Sequence, residues 1–355
     1  MAFGSGYFKT TYEADMALVD SRLRRLALLA LLVAIVVLPR FASSLVLDLI
    51  AQTALAAIGA LALNLLTGLA GQVSLGHAGF IAAGAFTTAI LVETFKSPAA
   101  ITLPAAAAVG GLLGLAVGIP ALRLKGLYLA LGTLALHYIV LYAGGEFQKR
   151  WGLNTGISIP PLGVAALTLK GGVAWYYALT LLAVVATTLS VNLQRSRVGR
   201  AFMAIRDREI AAASVGIAVA RYKLLAFVTS SVVTALTGAL FAYQRGFVSV
   251  EAFSFFLTIE YIAMITIGGL GSALGAVLGA AFVTLLPYGI DALVAGLRLP
   301  GATEVYIFPL KFGAFGLLMA LFLIFEPQGL VGIWRRTRNW FVLWPFRHRP
   351  LRGSA

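Results

Sequence analysis

The 355-residue chain has no cysteine. That excludes disulfide bridges, thiolate metal sites and cysteine nucleophiles. It has only three histidines, His77, His137 and His348, and they share no ligand spacing, so no metal site is expected. No Gly-Lys dipeptide occurs, which excludes a phosphate-cradling Gly-x-x-x-x-Gly-Lys-Ser/Thr loop. Charge is scarce as well. Asp, Glu, Lys and Arg make up 11% of the residues, against about 25% in an ordinary soluble chain. No convergent acid/base or nucleophile set is visible, so the sequence does not read as an enzyme.

What is present is apolar. Hydrophobic residues are 60% of the chain, and runs of about twenty recur along its whole length. The fold class is all-α, a polytopic integral membrane protein of about ten transmembrane helices (eight to ten), some of them interrupted by glycine. No room remains for a sizeable soluble domain. The 38 glycines suit close helix packing. The net charge of +14 does not point to nucleic acid, because no soluble basic module exists to make the contacts. It fits loops that face the cytoplasm and anionic membrane lipid.

The spans are expected at about 22–40, 43–66, from the glycine-rich stretch to 92, 99–121, 126–144, 173–193, 224–243, 254–268, 272–292 and 305–325. A longer loop runs from Gly145 to Gly172. Most of the 27 lysines and arginines fall in the N-terminal segment, at Arg123–Lys125, between Arg195 and Lys223, and after Ile333. The richer side is cytoplasmic, which places both termini there. The expected divisions are a cytoplasmic segment 1–21, a transmembrane domain 22–332 with a cytoplasmic segment 194–223, and a basic tail 333–355. The first apolar run has no small-residue cleavage site after it and reads as an uncleaved span.

Two stretches stand apart from the apolar background. Asn64 to Phe80 carries Gly68, Gly71, Gly76 and Gly79 among Thr67, Gln72, Ser74 and His77. Unpaired polar groups in hydrocarbon cost several kcal/mol each, so this segment is a turn or an interrupted helix lining a wet cavity. Transporters build substrate sites at such breaks. Asn64, Thr67, Gln72, Ser74 and His77 are therefore the candidate pathway residues. The second stretch, Arg195 to Ile217, is too polar to span. Gly199 and Gly216 bracket one expected helix with an apolar stripe of Phe202, Ile205, Ile210 and Ala213, fit to lie on headgroups or to dock in a partner's groove.

Two glycine ladders, Gly110, Gly114, Gly118 and Gly271, Gly275, Gly279, recur every four residues and mark helix-packing faces. Gly68-Leu-Ala-Gly71 is faintly echoed by Gly269-Leu-Gly271. Asp48 and Gln52 lie in the second span and Glu260 in the eighth, where a charge is usually paired or functional.

These stretches, together with Gly126 to Ala135, Arg221 to Phe227, Gly246 to Ser249 and Gly268 to Ser272, resemble the LivM-type permeases of bacterial branched-chain amino acid ABC transporters over roughly residues 40–332. The resemblance implies a multi-pass subunit of the cell inner membrane that translocates branched-chain amino acids inward. Its implied partners are a second related permease, two cytoplasmic ATPases that bind ATP and Mg, and a periplasmic substrate-binding protein; the chain itself would hold no cofactor. Gly199, Arg200, Arg206, Asp207, Arg208, Glu209 and Gly216 would form the element coupled to the ATPases. Arg208 stands where an acid is more usual in the family. The loop near Thr155-Gly156 resembles a shortened form of the family's loop toward the binding protein. A urea or short-amide permease is the nearest alternative, and a stand-alone proton-coupled transporter using Asp48 or His77 is the next.

Overall fold

The computed structural model describes residues 22–122, 126–151, 155–164, 167–168, 171–296 and 328–343, with parts of 313–326. The expected segment 1–21, Arg123–Lys125 and most of the tenth span fall outside the described residues. The chain divides into two compact units, 1–47 and 48–355. The first contains α1, Arg22–Val37, followed by a short 3-10 turn, Leu38–Arg40, that takes Pro39 into its first turn. Proline suits that position, because the N–H it lacks has no partner there anyway. Leu26, Leu29, Leu32, Val33 and Val36 of α1 are exposed.

Helix α2 (Ser44–Leu63) carries the division, and the larger unit continues with α3 (His77–Phe95), α4 (Ala99–Ala121), α5 (Leu127–Trp151) and α6 (Gly172–Arg195). There follow α7 (Arg197–Asp207), α8 (Glu209–Ser214), α9 (Val219–Arg245), α10 (Phe255–Gly268), α11 (Ala273–Gly296) and α12 (Gly329–Leu343). Among the described residues seven helices are long and apolar enough to cross a membrane, and α10 is a shorter apolar one. The wide turn Asn64–Leu69 extends α2, so that span runs from Ser44 to Leu69. Helix α12 covers the start of the segment expected as a tail.

Helix α9 is the axis of the packing. Its buried positions are almost all small, among them Ala226, Ser230, Ser231, Ala235, Gly238 and Ala242. In lipid no hydrophobic force pulls apolar helices together, so close backbone approach through small residues is what holds them. Gly110 of α4 faces the Ser231 carbonyl at 2.7 Å from where its Cβ would stand, and Gly114 faces the Ser231 side chain at 2.9 Å. Gly118 faces Leu224. On α3, Gly84 receives the backbone carbonyl of Ala235, and Gly238 of α9 receives that of Ile81 in return.

The structure corrects four expectations. Helix α5 continues past Gly145 to Trp151, because Gly144 is seated against Phe86 and the Gln148 amide oxygen accepts from Val250 N–H at 2.8 Å. The following loop contains two short antiparallel pairings. Strand β1 (Ile157–Ser158) pairs with β4 (Phe247–Val248), and β2 (Gly163–Val164) pairs with β3 (Leu167–Thr168). The polar segment after α6 is two helices, not one: Arg208 is extended at φ −154°, ψ 98° and separates α7 from α8. Consequently Phe202 and Ile205 are buried while Ile210 and Ala213 are exposed, so the expected single stripe is split. Gly271 lies outside α11 at φ 79°, a conformation that glycine adopts without Cβ strain, so only Gly275 and Gly279 of that ladder are helical.

Residues 70–76 are non-helical backbone, and threonines of two other helices satisfy N–H groups where this stretch passes into α3. Thr133 Oγ1 of α5 accepts from Leu75 N–H at 2.9 Å, and Thr258 Oγ1 of α10 accepts from Ala78 N–H in the first turn of α3 at 3.1 Å. Both threonines are fully buried. This meets the condition under which irregular backbone is tolerated at membrane depth. Thr258→Val keeps the shape and strands the Ala78 N–H. The expected loss is about 1–3 kcal/mol, read as a lower thermal unfolding midpoint of the purified chain with helix content unchanged at low temperature.

Candidate functional site

The five pathway candidates lie around the break after α2, and two of them, Asn64 and Gln72, tie it by hydrogen bonds to distant segments. Asn64 is fully buried. Its Oδ1 accepts from Gly271 N–H at 2.8 Å and its Nδ2 donates to the Ser272 carbonyl at 3.2 Å. Thr67 Oγ1 donates to the Gln72 carbonyl at 3.1 Å, and Gln72 Nε2 donates to the Lys223 carbonyl at 3.1 Å, near the start of α9. Ser74 Oγ accepts a long bond of 3.4 Å from Gly76 N–H. The imidazole of His77 packs edge-on against the Tyr261 ring, with centroids 4.7 Å apart.

The polar two-helix segment enters the same knot through Arg206. Its Nη1 donates to the Gly68 carbonyl at 2.7 Å, while Nε and Nη2 hold Asp207 Oδ1 at 3.1 and 3.0 Å. A Cβ on Gly71 would meet Arg206 Cγ at 2.8 Å, and one on Gly271 would stand 3.0 Å from Arg206 Nη1. The two glycine turns that echo one another in sequence therefore meet in space, with one guanidinium laid across them.

The rest of the segment is fixed at its ends. Ser196 Oγ caps α7 by accepting from Gly199 N–H at 3.1 Å, and Gly199 lies directly against the Leu193 carbonyl. Arg200 Nη1 donates to the Arg195 carbonyl at 2.7 Å. Glu209, in the first turn of α8, pairs with Lys223 Nζ at 2.7 Å. Gly216 at φ 85° ends α8, with its N–H on the Ala213 carbonyl. Ile210 and Val215 then stand out at 86% and 75% exposure, beside exposed Arg206, Asp207 and Arg208. An amphipathic surface of this kind fits a partner's groove.

A separate cavity of ≈420 Å³ lies between α2, α3, α9, α10 and α11. None of the five pathway candidates lines it; His77 is one ring behind, through Tyr261. Its polar lining includes Gln52, Gln244, Arg245, Glu260 and Thr284. Its apolar lining includes Leu55, Ile81, Phe253, Leu257 and Met264. Exposed Asp291 and Tyr288 line it too. The Gln244 Nε2 and Oε1 atoms and Thr284 Oγ1 are buried with no hydrogen-bond partner. Each such atom costs about 1–3 kcal/mol and calls for a polar occupant. On α9, Lys223 at the knot and Gln244 at the cavity are about 30 Å apart, at 1.5 Å per residue. Asp48 is exposed and accepts from Gln52 Nε2 at 2.6 Å.

The sequence marked Gln52 and Glu260 as polar groups inside apolar runs. Gln244 and Thr284 carried no such signal: one sits at a helix end and the other is an ordinary small hydroxyl in a span.

The chain matches the family described as the permease component of branched-chain amino acid transport systems over residues 45–323. It is 33% identical over 336 residues to the high-affinity branched-chain amino acid transport system permease protein LivM of Salmonella typhimurium, covering 88% of this chain and 76% of that one. Escherichia coli LivM matches to the same extent. The autoinducer 2 import system permease protein LsrC of Enterobacter sp. is 32% identical over 212 residues, 55% of this chain and 56% of its own. No solved structure matches. A family match across most of the chain, on a bundle with this many spanning helices, makes it a multi-pass ABC-type permease, a transport component belonging to the LivM-type branched-chain amino acid family.

Proposed function

We propose that this chain is the permease subunit of an importer that carries branched-chain amino acids inward, driven by ATP hydrolysed in separate subunits. The solute follows from the LivM relatives, whose similarity spans far more of the chain than that of LsrC. With no Gly-Lys dipeptide the chain has no P-loop, so the nucleotide and its Mg belong to partner ATPases. The complex also needs a second related permease and a periplasmic binding protein. The permease domain takes residues 22–332, and segment 194–223, segment 1–21 and tail 333–355 face the cytoplasm, in line with the distribution of Lys and Arg.

The observation that carries the reading is the bond from Arg206 Nη1 to the Gly68 carbonyl. It connects a surface open to a partner with the broken end of a membrane span. A nucleotide can shift the permease between states only through contacts that differ between them, and Arg206 provides a connection through which such a difference reaches α2 and the turn before α11. A charge-assisted bond of this kind is worth about 1.5–3 kcal/mol. Arg206→Ala is therefore expected to lower isoleucine uptake roughly ten- to hundredfold at 1.4 kcal/mol per decade, with the ATPases still bound but no longer stimulated by substrate. Uptake and stimulated hydrolysis both at the unmodified level would remove the coupling assignment.

A further inference from the structure

We infer that the ≈420 Å³ cavity between α2, α3, α9, α10 and α11 is a binding site for a small aliphatic ammonium or zwitterionic solute, with Glu260 as the residue that receives the ammonium group. Three observations converge on it. The first is Glu260 itself. It sits on the short apolar helix α10 and forms no ion pair among the described residues. A carboxylate kept between spans without a partner is a site for a cation. The second is the set of unsatisfied atoms. Gln244 Nε2 and Oε1 and Thr284 Oγ1 are buried without partners on the cavity wall, offering both donors and an acceptor. A hydrogen-bonding occupant satisfies them, and a hydrocarbon chain from the lipid does not.

The third is the balance of the wall. Leu55, Ile81, Phe253, Leu257 and Met264 add aliphatic and aromatic surface to the same lining. Small-molecule sites combine an apolar lining with a few placed polar groups in cavities of roughly this size, about 300–1,000 Å³. Arg245, whose guanidinium carbon lies 5.9 Å over the Phe241 ring, is the counterpart for a carboxylate. Glu260 and Arg245 in one cavity suit a zwitterion, and the apolar lining suits its side chain. The amino acid identity of the solute rests on the importer reading; the ammonium preference does not.

The absence of cysteine supplies the test. Ala56→Cys, at a cavity-lining position with no polar group to lose, introduces a single thiol into the full-length chain, which is expressed with its native complex and labelled with a small methanethiosulfonate reagent in membranes. The probes are isoleucine, isopentylamine and 4-methylpentanoate. A ligand at roughly ten times its Kd slows labelling of an occluded site about tenfold. Isoleucine and isopentylamine are expected to protect the introduced thiol, and 4-methylpentanoate to leave its labelling rate unchanged. Adding Glu260→Gln removes protection by isopentylamine, and Glu260→Asp retains part of it. Equal labelling rates with and without both amines overturn the site, as does protection by the acid alone. The two readings separate cleanly in the same membranes. Isoleucine uptake without protection overturns this site and leaves the importer standing. Amine protection without isoleucine uptake does the reverse.

Discussion

A Gly84→Val chain is expected to be nearly absent from membranes, with accumulation at least several-fold below that of the unmodified protein and the residue rapidly digested by added protease. The reason is geometric. A Cβ at position 84 would fall onto the backbone carbonyl of Ala235, with the Ala235 Cα also within 2.8 Å. Overpacking against a side chain costs about 1–3 kcal/mol because rotamers yield. Here the obstacle is the main chain of α9, which also carries the contacts to α4 through Ser231 and Ala235. Relief requires α3 and α9 to separate, and with them the reciprocal seat of Gly238 against Ile81. In a membrane that seat is most of what holds the two helices together. A loss of even 1–2 kcal/mol changes cellular abundance several-fold, so the effect on this contact is large. Gly289→Ala is the control. Its Cβ meets nothing within 4 Å, and it is expected to accumulate normally. Normal levels of Gly84→Val would mean that α3 and α9 do not pack as described.

The positions of the spanning helices were legible from apolar run length alone, and 99–121 coincides with α4 residue for residue. Helix ends were less legible, because tertiary partners decide them. Gly144-Gly145 reads as a stop, yet Phe86 and the Val250 N–H hold the helix together for two further turns. The split at Arg208 has no apolar signal at all: every residue around it is a fair helix former. It becomes visible only once Glu209 is paired with Lys223 of the next helix. The meeting of the two glycine turns was legible as an echo, Gly68-Leu-Ala-Gly71 against Gly269-Leu-Gly271, but not as a contact, since some two hundred residues separate them. The cavity was least legible. Its wall takes one helical face each from α2, α9, α10 and α11, with Ile81 from α3, and the spacing along any one helix does not report which neighbours that face will meet. The polar residues clustered at 64–77 are densest where backbone must be satisfied, and that density drew the pathway assignment to them.

Asn64→Leu is expected to leave a chain that reaches the membrane and joins its complex, yet takes up isoleucine at least about tenfold more slowly. Among the described residues Asn64 is the one side chain that bonds both backbone groups of the opposite turn, the Gly271 N–H and the Ser272 carbonyl. Leucine has nearly the same volume and neither hydrogen bond, so both part-buried groups lose this partner, at up to about 1–3 kcal/mol each. The turn relieves that by moving away, and the tight approach of Gly68 to Gly271 opens with it. Arg206 then spans a gap rather than a joint. Its bond to Gly68 survives, but the connection to the start of α11 is gone. One decade per 1.4 kcal/mol puts the expected defect at tenfold or more. Ser272→Ala separates this from simple loosening of α11. It removes the hydroxyl that accepts from Gly275 N–H at 3.1 Å, a cap worth about 1 kcal/mol, and leaves the Ser272 carbonyl in place for Asn64. If α11 stability alone set the rate, the two variants would slow uptake in proportion to their unfolding midpoints. If the joint between the two turns carries the motion, Asn64→Leu falls far below that line and Ser272→Ala lies on it.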